Sequence, residues 1–143
     1  MRNQVDMAAV TEAFADFRRV ARAELGGVVY TRQNFLCCGG CASSALNREA
    51  MDANGKFIDA NGKGRQRQVV GAVYYHNQDA QRVRNGGPLM LGYGGITLAG
   101  NADDRQTLKI GRLMVDALRK RGLEVVWDGN ITSRIEVAVS KEQ

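Results

Sequence analysis

Val28-Val29-Tyr30-Thr31, then Arg32-Gln33-Asn34-Phe35-Leu36, then Cys37-Cys38-Gly39-Gly40-Cys41-Ala42-Ser43-Ser44: this stretch sets the fold class. Its first residues are β-branched and aromatic, which suits the pleated surface of a strand. After Cys41 the run 42–51 consists mostly of helix formers. The local reading is strand, cysteine turn, helix. All 3 cysteines of the chain sit in that turn, so it is the first candidate for a working site.

Upstream, Val10, Phe14, Phe17, Ala21 and Leu25 recur at spacings of three and four. That periodicity predicts an amphipathic helix over 5–25 with one apolar face. Gly26-Gly27 ends it, because glycine enters the left-handed region cheaply. Downstream, Val69-Val70-Gly71-Ala72-Val73-Tyr74-Tyr75 is nearly all apolar and reads as a buried inner strand. It delivers His76, the single histidine. Asn77-Gln78-Asp79 opens a short helical piece reaching Arg84. Asn85-Gly86-Gly87-Pro88 is a turn, and Leu89-Met90-Leu91-Gly92-Tyr93 is a further strand. Residues 103–121 carry a full apolar stripe of Ile110, Leu113, Met114, Ala117 and Leu118. Aspartates stand at the start of that helix and Arg119, Lys120 and Arg121 at its end, complementing its dipole. Residues 123–127 and 134–139 read as a hairpin around Asp128-Gly129-Asn130.

Strands and helices in this order predict one α+β domain over 1–143, a mixed sheet of about five strands packed by three helices. Residues 52–68 interrupt it. Asp52-Ala53-Asn54-Gly55-Lys56 recurs as Asp59-Ala60-Asn61-Gly62-Lys63, and each Asn-Gly is a turn signal. Lys56, Lys63, Arg65 and Arg67 make this a basic surface loop. The acidic spacing and closing glutamate of a calcium loop are absent from it.

The net charge of +5 admits an anionic small molecule, a protein partner or, with least support, nucleic acid. Plain solubility charge explains it as well. No apolar run approaches the roughly 20 residues of a membrane helix. The N-terminus lacks the apolar stretch of a secretory signal. A cytoplasmic protein is therefore expected, and clustered cysteines fit a site there better than a disulfide framework.

Three thiols and an imidazole are the donors of a four-ligand zinc site. Cys38 and Cys41 have the two-residue spacing that brings both sulfurs to one ion, and His76 arrives from the neighbouring strand. Cys37 is the open fourth donor, because adjacent side chains point apart. Without it the ion keeps the vacant position of a catalytic metal. A second reading is redox: Cys38-Gly39-Gly40-Cys41 between strand and helix is thioredoxin-like, with Cys38 attacking and Cys41 resolving. Pro88 then stands where such proteins place a cis-proline. A third is nucleophilic catalysis by Cys38, with His76 as base and Asp79 or Gln78 as its orienter. A fourth is a ligand cradle: Gly39 and Gly40 opening a helix offer N–H groups to a phosphate, with Gln78 counted to the same cofactor site. Beside all four stands packing alone, since small cysteines in a tight turn are often inert. Trp127-Asp128-Gly129 and Tyr93-Gly94 read as core anchors followed by tight turns before they read as a pocket mouth.

Four pieces together, Asn34-Phe35-Leu36-Cys37-Cys38-Gly39-Gly40-Cys41, Val73-Tyr74-Tyr75-His76-Asn77-Gln78-Asp79, Leu89-Met90-Leu91-Gly92-Tyr93-Gly94 and Gly122-Leu123-Glu124-Val125-Val126-Trp127-Asp128-Gly129, resemble a bacterial family of unknown function, the DUF6891 domain. The likeness runs from residue 28 to the end. It implies a shared site built from Cys37, Cys38, Cys41, His76, Gln78 and Asp79, and it implies no activity. Ala42 replaces a glycine usual in that family, and the basic repeat at 52–68 is a second departure.

Overall fold

A computed structural model describes residues 4–36, 45–46, 48–50, 69–96 and 102–139. Its elements are α1 (Met7–Leu25), β1 (Val28–Arg32), β2 (Val69–Tyr74), α2 (Asn77–Arg84), β3 (Leu89–Gly95), α3 (Asp104–Lys120), β4 (Val125–Val126) and β5 (Ile135–Val137). Residues 45–46 and 48–50 are helical as well. Among the described residues the sheet has five strands in the order β1-β2-β3-β5-β4. β1 runs parallel to β2, and the remaining neighbours are antiparallel. The expected α+β class with a mixed sheet is what the chain adopts.

Sequence dictates the long helices. Asp6 caps α1, accepting the Ala9 N–H at 3.1 Å, and Gly26 closes it at φ 65°. The expected stripe is buried at Val10, Phe14, Phe17 and Ala21. Asp103 caps α3 through the Gln106 N–H. Ile110, Met114, Ala117 and Leu118 of that helix are buried too.

Both helices cover one face of the sheet. Phe14 meets Tyr75 edge-on at 6.3 Å between ring centroids. A side chain at Gly71 would strike Ile110, one at Gly95 would strike Gln106 and Thr107, and one at Gly111 would strike Trp127 and Tyr93. These glycines let α3 lie close on β2 and β3. Arg121 ties the end of α3 to α1, with Nε 2.6 Å from Asp16 and Nη1 3.1 Å from Glu12.

Side chains alternate along a strand. Since Gly71, Val73, Tyr93 and Gly95 face the helices, Ala72, Tyr74, Gly92 and Gly94 face the other way. Leu46 and Ala50 are buried on that second side, apart from the main core. The hairpin expected over 123–139 forms, although its strands are shorter than the apolar runs. Its turn is held by Asp128, which accepts from Asn130 N and from the Ser133 hydroxyl. Gly129 in that turn has φ 80°. Trp127 packs against the core and donates its indole N–H to the Tyr93 hydroxyl at 2.9 Å. It is thus a core anchor beside a tight turn.

Candidate functional site

The site lies where β1 and β2 end. Parallel pairing does not stop with the strands: Tyr75 N donates to Arg32 O, Phe35 N to Tyr75 O, and Asn77 N to Leu36 O at 2.9 Å. The segment leading into the cysteines is thereby zipped to the segment carrying His76. Leu36 closes this zip with φ 60°, and Asn34 has φ 54°. Asparagine tolerates the left-handed region; leucine enters it at a cost of about 1–2 kcal/mol. A strained residue directly before Cys37 is the kind of feature that gathers at functional sites.

His76 is the N-cap of α2. Its Nδ1 accepts the Asp79 N–H at 3.4 Å, while the Asp79 carboxylate accepts the His76 N–H at 3.1 Å. This reciprocal pair is a capping box with histidine in the place serine or threonine usually takes. The second ring nitrogen, Nε2, stands 3.1 Å from Asp79 Oδ2. Accepting through Nδ1 requires the neutral ring with its proton on Nε2. Burial holds the His76 pKa below its ordinary 6.5 and so favours that form; Asp79 opposes the shift, and Arg134 and Arg82 reinforce it.

Asp79 is fully buried and gathers the local charges. Arg134 grips it with both arms, Nη1 to Oδ1 at 3.2 Å and Nη2 to Oδ2 at 2.8 Å. Arg82 reaches Oδ1 at 3.4 Å. Nη2 of Arg134 also donates to the Met90 carbonyl at 2.9 Å, so the cluster pins α2 to β3 and to the start of β5. Among the described residues no buried side-chain nitrogen or oxygen lacks a hydrogen-bond partner.

Of the residues expected to form the site, His76 and Asp79 are brought together. Gln78, the alternative orienter, is exposed on the first turn of α2. Cys37, Cys38, Gly39, Gly40 and Cys41 lie outside the described residues, as does the basic loop 52–68. Among the described residues no three histidine, cysteine or acidic side chains are grouped to hold a metal. No peptide bond among them is cis, so Pro88 does not present the cis-proline of a thioredoxin-like site. No helix among them is long and apolar enough to cross a membrane.

Sequence reasoning did not single out Arg134. It stands 55 positions from Asp79, and no local spacing marks the pair. Tyr93-Gly94, read first as an anchor before a tight turn and second as a pocket mouth, lies inside β3 and lines a cleft of about 440 Å³ together with Ala72, Tyr74, Leu46, Ala50 and Ile131 among others. A smaller cleft of about 300 Å³ adjoins it and ends at Arg134, with Tyr74, Tyr93, Ile131 and Thr132 lining both. The signal in the sequence was Gly92 and Gly94, two bare positions on one face of a strand.

The family model described as "Domain of unknown function (DUF6891)" matches residues 3–141. The likeness therefore takes in α1, upstream of the pieces that first suggested it. No curated protein and no solved structure matches the chain.

Proposed function

The chain belongs to the DUF6891 family, whose description carries no activity; from the site itself we propose that this domain binds zinc through Cys38, Cys41 and His76, with Cys37 as the fourth donor. One observation carries the reading. The Leu36 carbonyl accepts the Asn77 N–H at 2.9 Å. The cysteine run thus begins one residue after a hydrogen bond to the residue that follows His76. Leu36, the residue before the cysteine run, is thereby held alongside the start of α2, which His76 caps.

The donor chemistry fits the ion. Zinc takes a neutral imidazole, and burial favours that form of His76 by lowering its pKa. A zinc-bound histidine characteristically turns its other nitrogen to a carboxylate. Asp79 Oδ2 stands 3.1 Å from Nε2. His76 would bind through Nδ1, exchanging the long 3.4 Å bond from the Asp79 amide for the metal. Asp79, itself held by Arg134, fixes the ring.

Protein purified without a metal-affinity tag should carry stoichiometric zinc by elemental analysis. Cys38→Ser or Cys41→Ser should abolish it. His76→Asn, which can still cap a helix, should weaken binding by about tenfold or more. Metal-free protein after growth in zinc-replete medium would overturn the proposal.

The same His76–Asp79 contact favours a second reading, a thiol-dependent enzyme in which Cys38 attacks and His76 is the base. Metal-free protein with a thiol titrating below about 7.5 would support it. A binding module using the Gly39-Gly40 turn and the 52–68 loop predicts salt-dependent retention on polyanions, reduced by neutralising Lys63, Arg65 and Arg67.

A further inference from the structure

The two adjoining clefts lie over the face of β2 and β3 that carries Ala72, Tyr74, Gly92 and Gly94, and the larger one also reaches Asp104 and Thr107 at the start of α3, at the end away from Arg134. Gly92 and Gly94 are successive positions on that face of β3. They differ in what covers them. A Cβ at Gly92 would run into the ring of Tyr74, whose Cζ, hydroxyl and Cε1 are its nearest neighbours. A Cβ at Gly94 would meet nothing within 4 Å. The fold therefore displays an aromatic ring laid on one bare glycine and leaves the next glycine open. Two strand positions separate them by about 6.7 Å, within the range at which aromatic rings attract one another. Around the open position stand Leu46, Ala50, Ala72 and Ile131.

The far end of the floor is basic. Arg134 lines the smaller cleft with a side chain 36% exposed. Three of its five N–H groups are used, two by Asp79 and one by the Met90 carbonyl. The remaining ones, Nε–H included, have no hydrogen-bond partner among the described residues. With Arg82 also on Asp79, two guanidinium groups face one carboxylate. The three side chains together carry one net positive charge, and Arg134 brings it to the smaller cleft. Arg134 directly precedes Ile135, which pairs with Leu91. The reach from Gly94 is thus two positions along β3 and one strand across, about 8 Å.

We propose that this cleft binds a planar aromatic anion, its rings over Gly94 beside Tyr74 and its charge at Arg134. The span suits a two-ring molecule carrying a carboxylate or sulfonate. The joint volume lies in the range of small-molecule sites. Among the described residues, His76, the one residue of the zinc proposal that is described, lines neither cleft. The dye titration does not require a bound metal.

Titration with 1-anilinonaphthalene-8-sulfonate, and with neutral N-phenyl-1-naphthylamine as the uncharged control, tests it. One saturable site per chain is expected for both dyes. Gly94→Leu and, separately, Ala72→Leu should fill the floor and weaken both dyes by about tenfold or more, with thermal unfolding as the check on folding. Arg134→Lys should weaken the sulfonate by about tenfold and leave the neutral dye within about twofold, because lysine cannot offer the planar fork. That split between dyes tests the site even if a floor variant melts early. Non-stoichiometric binding, floor variants that bind like the wild type, or an Arg134→Lys effect equal for both dyes would overturn the proposal.

Discussion

Asp79 and Arg134, 55 positions apart in sequence, meet as a two-pronged ion pair whose closer arm is 2.8 Å. The carboxylate is fully buried and the guanidinium about a third exposed, at 36%. Breaking a buried pair by removing one partner costs about 3–5 kcal/mol. Solvent screening of the exposed arginine brings the expectation for Arg134→Met to about 3 kcal/mol or less. Asp79→Ala should cost more, because it also deletes the capping box of α2. Urea unfolding of the two variants and their double mutant checks this. The double mutant should be less destabilised than the sum of the singles, because each single strands a charge that the other variant removes.

The histidine cap gives stability a pH dependence. Burial, the leading cause, lowers the His76 pKa in the folded state below the unfolded value near 6.5, and Arg134 and Arg82 add to it against Asp79. The unfolded chain then binds the proton more readily than the folded one. The contribution is complete above pH 6.5 and is lost as pH falls from there through the folded pKa. Protonating Nδ1 also removes the acceptor for the Asp79 N–H. Chelated, reduced protein should therefore melt at progressively lower temperature below pH 6.5. His76→Asn keeps a cap that does not titrate and should flatten that slope. An unchanged slope in the variant would assign it to other groups.

The strain at Leu36 predicts an unusual gain. Its φ of 60° costs a leucine about 1–2 kcal/mol and costs glycine nothing, although glycine loses about 0.5–1 kcal/mol more backbone entropy on folding. The side chain is 41% exposed, so little packing is given up. Leu36→Gly should leave stability unchanged or raise it by up to about 1 kcal/mol in thermal unfolding. A loss above 1 kcal/mol would mean the side chain makes contacts worth more than the strain.

Much of this fold can be read along the chain, because periodicity is local. The stripes Val10-Phe14-Phe17-Ala21 and Ile110-Met114-Ala117-Leu118 announce α1 and α3, and Asp128-Gly129 announces the β4–β5 turn. Strand order is a different matter. That β5 slots between β3 and β4 depends on pairings such as Leu91 with Ile135, which no neighbour in sequence encodes. The His76 cap was hidden because its box uses histidine and aspartate in place of serine and glutamate. The candidate site was half legible. His76 and Asp79 share one turn of helix and could be paired by spacing. Arg134, which holds Asp79, comes from the turn that leads into β5.

Tyr93 and Trp127 predict how firmly the hairpin is tied to β3. The Tyr93 hydroxyl accepts the indole N–H at 2.9 Å and lies 2.7 Å from the Ser133 carbonyl and 3.0 Å from that of Asn130. Their rings meet edge-on with centroids 6.0 Å apart. Tyr93→Phe keeps the ring contact and strands the indole donor, at an expected cost of about 1–3 kcal/mol. The tryptophan fluorescence should change with it, since the hydroxyl is the polar partner of the indole. A variant as stable as the wild type would mean that water replaces the hydroxyl at no cost.

Gly71 and Gly94 carry the sharpest contrast in the sheet. They lie on adjacent strands, one register step apart, with Gly71 opposite Gly95 and Gly94 opposite Ala72. Neither has a positive φ. Backbone strain therefore cannot separate them, and only surroundings can. A Cβ at Gly71 would be driven into the Gly94 carbonyl and the Cδ1 of Ile110. Ile110 is fully buried and has little room to retreat. Forcing a methyl into such packing costs about 1–3 kcal/mol. At Gly94 the same methyl enters open space, and alanine reduces the entropy of the unfolded chain, a gain of about 0.4–1 kcal/mol. Gly71→Ala should lower the melting temperature, and Gly94→Ala should hold or raise it. Equal losses at both positions would mean that the floor over Gly94 is filled, and the cleft assigned to a ligand would be part of the core.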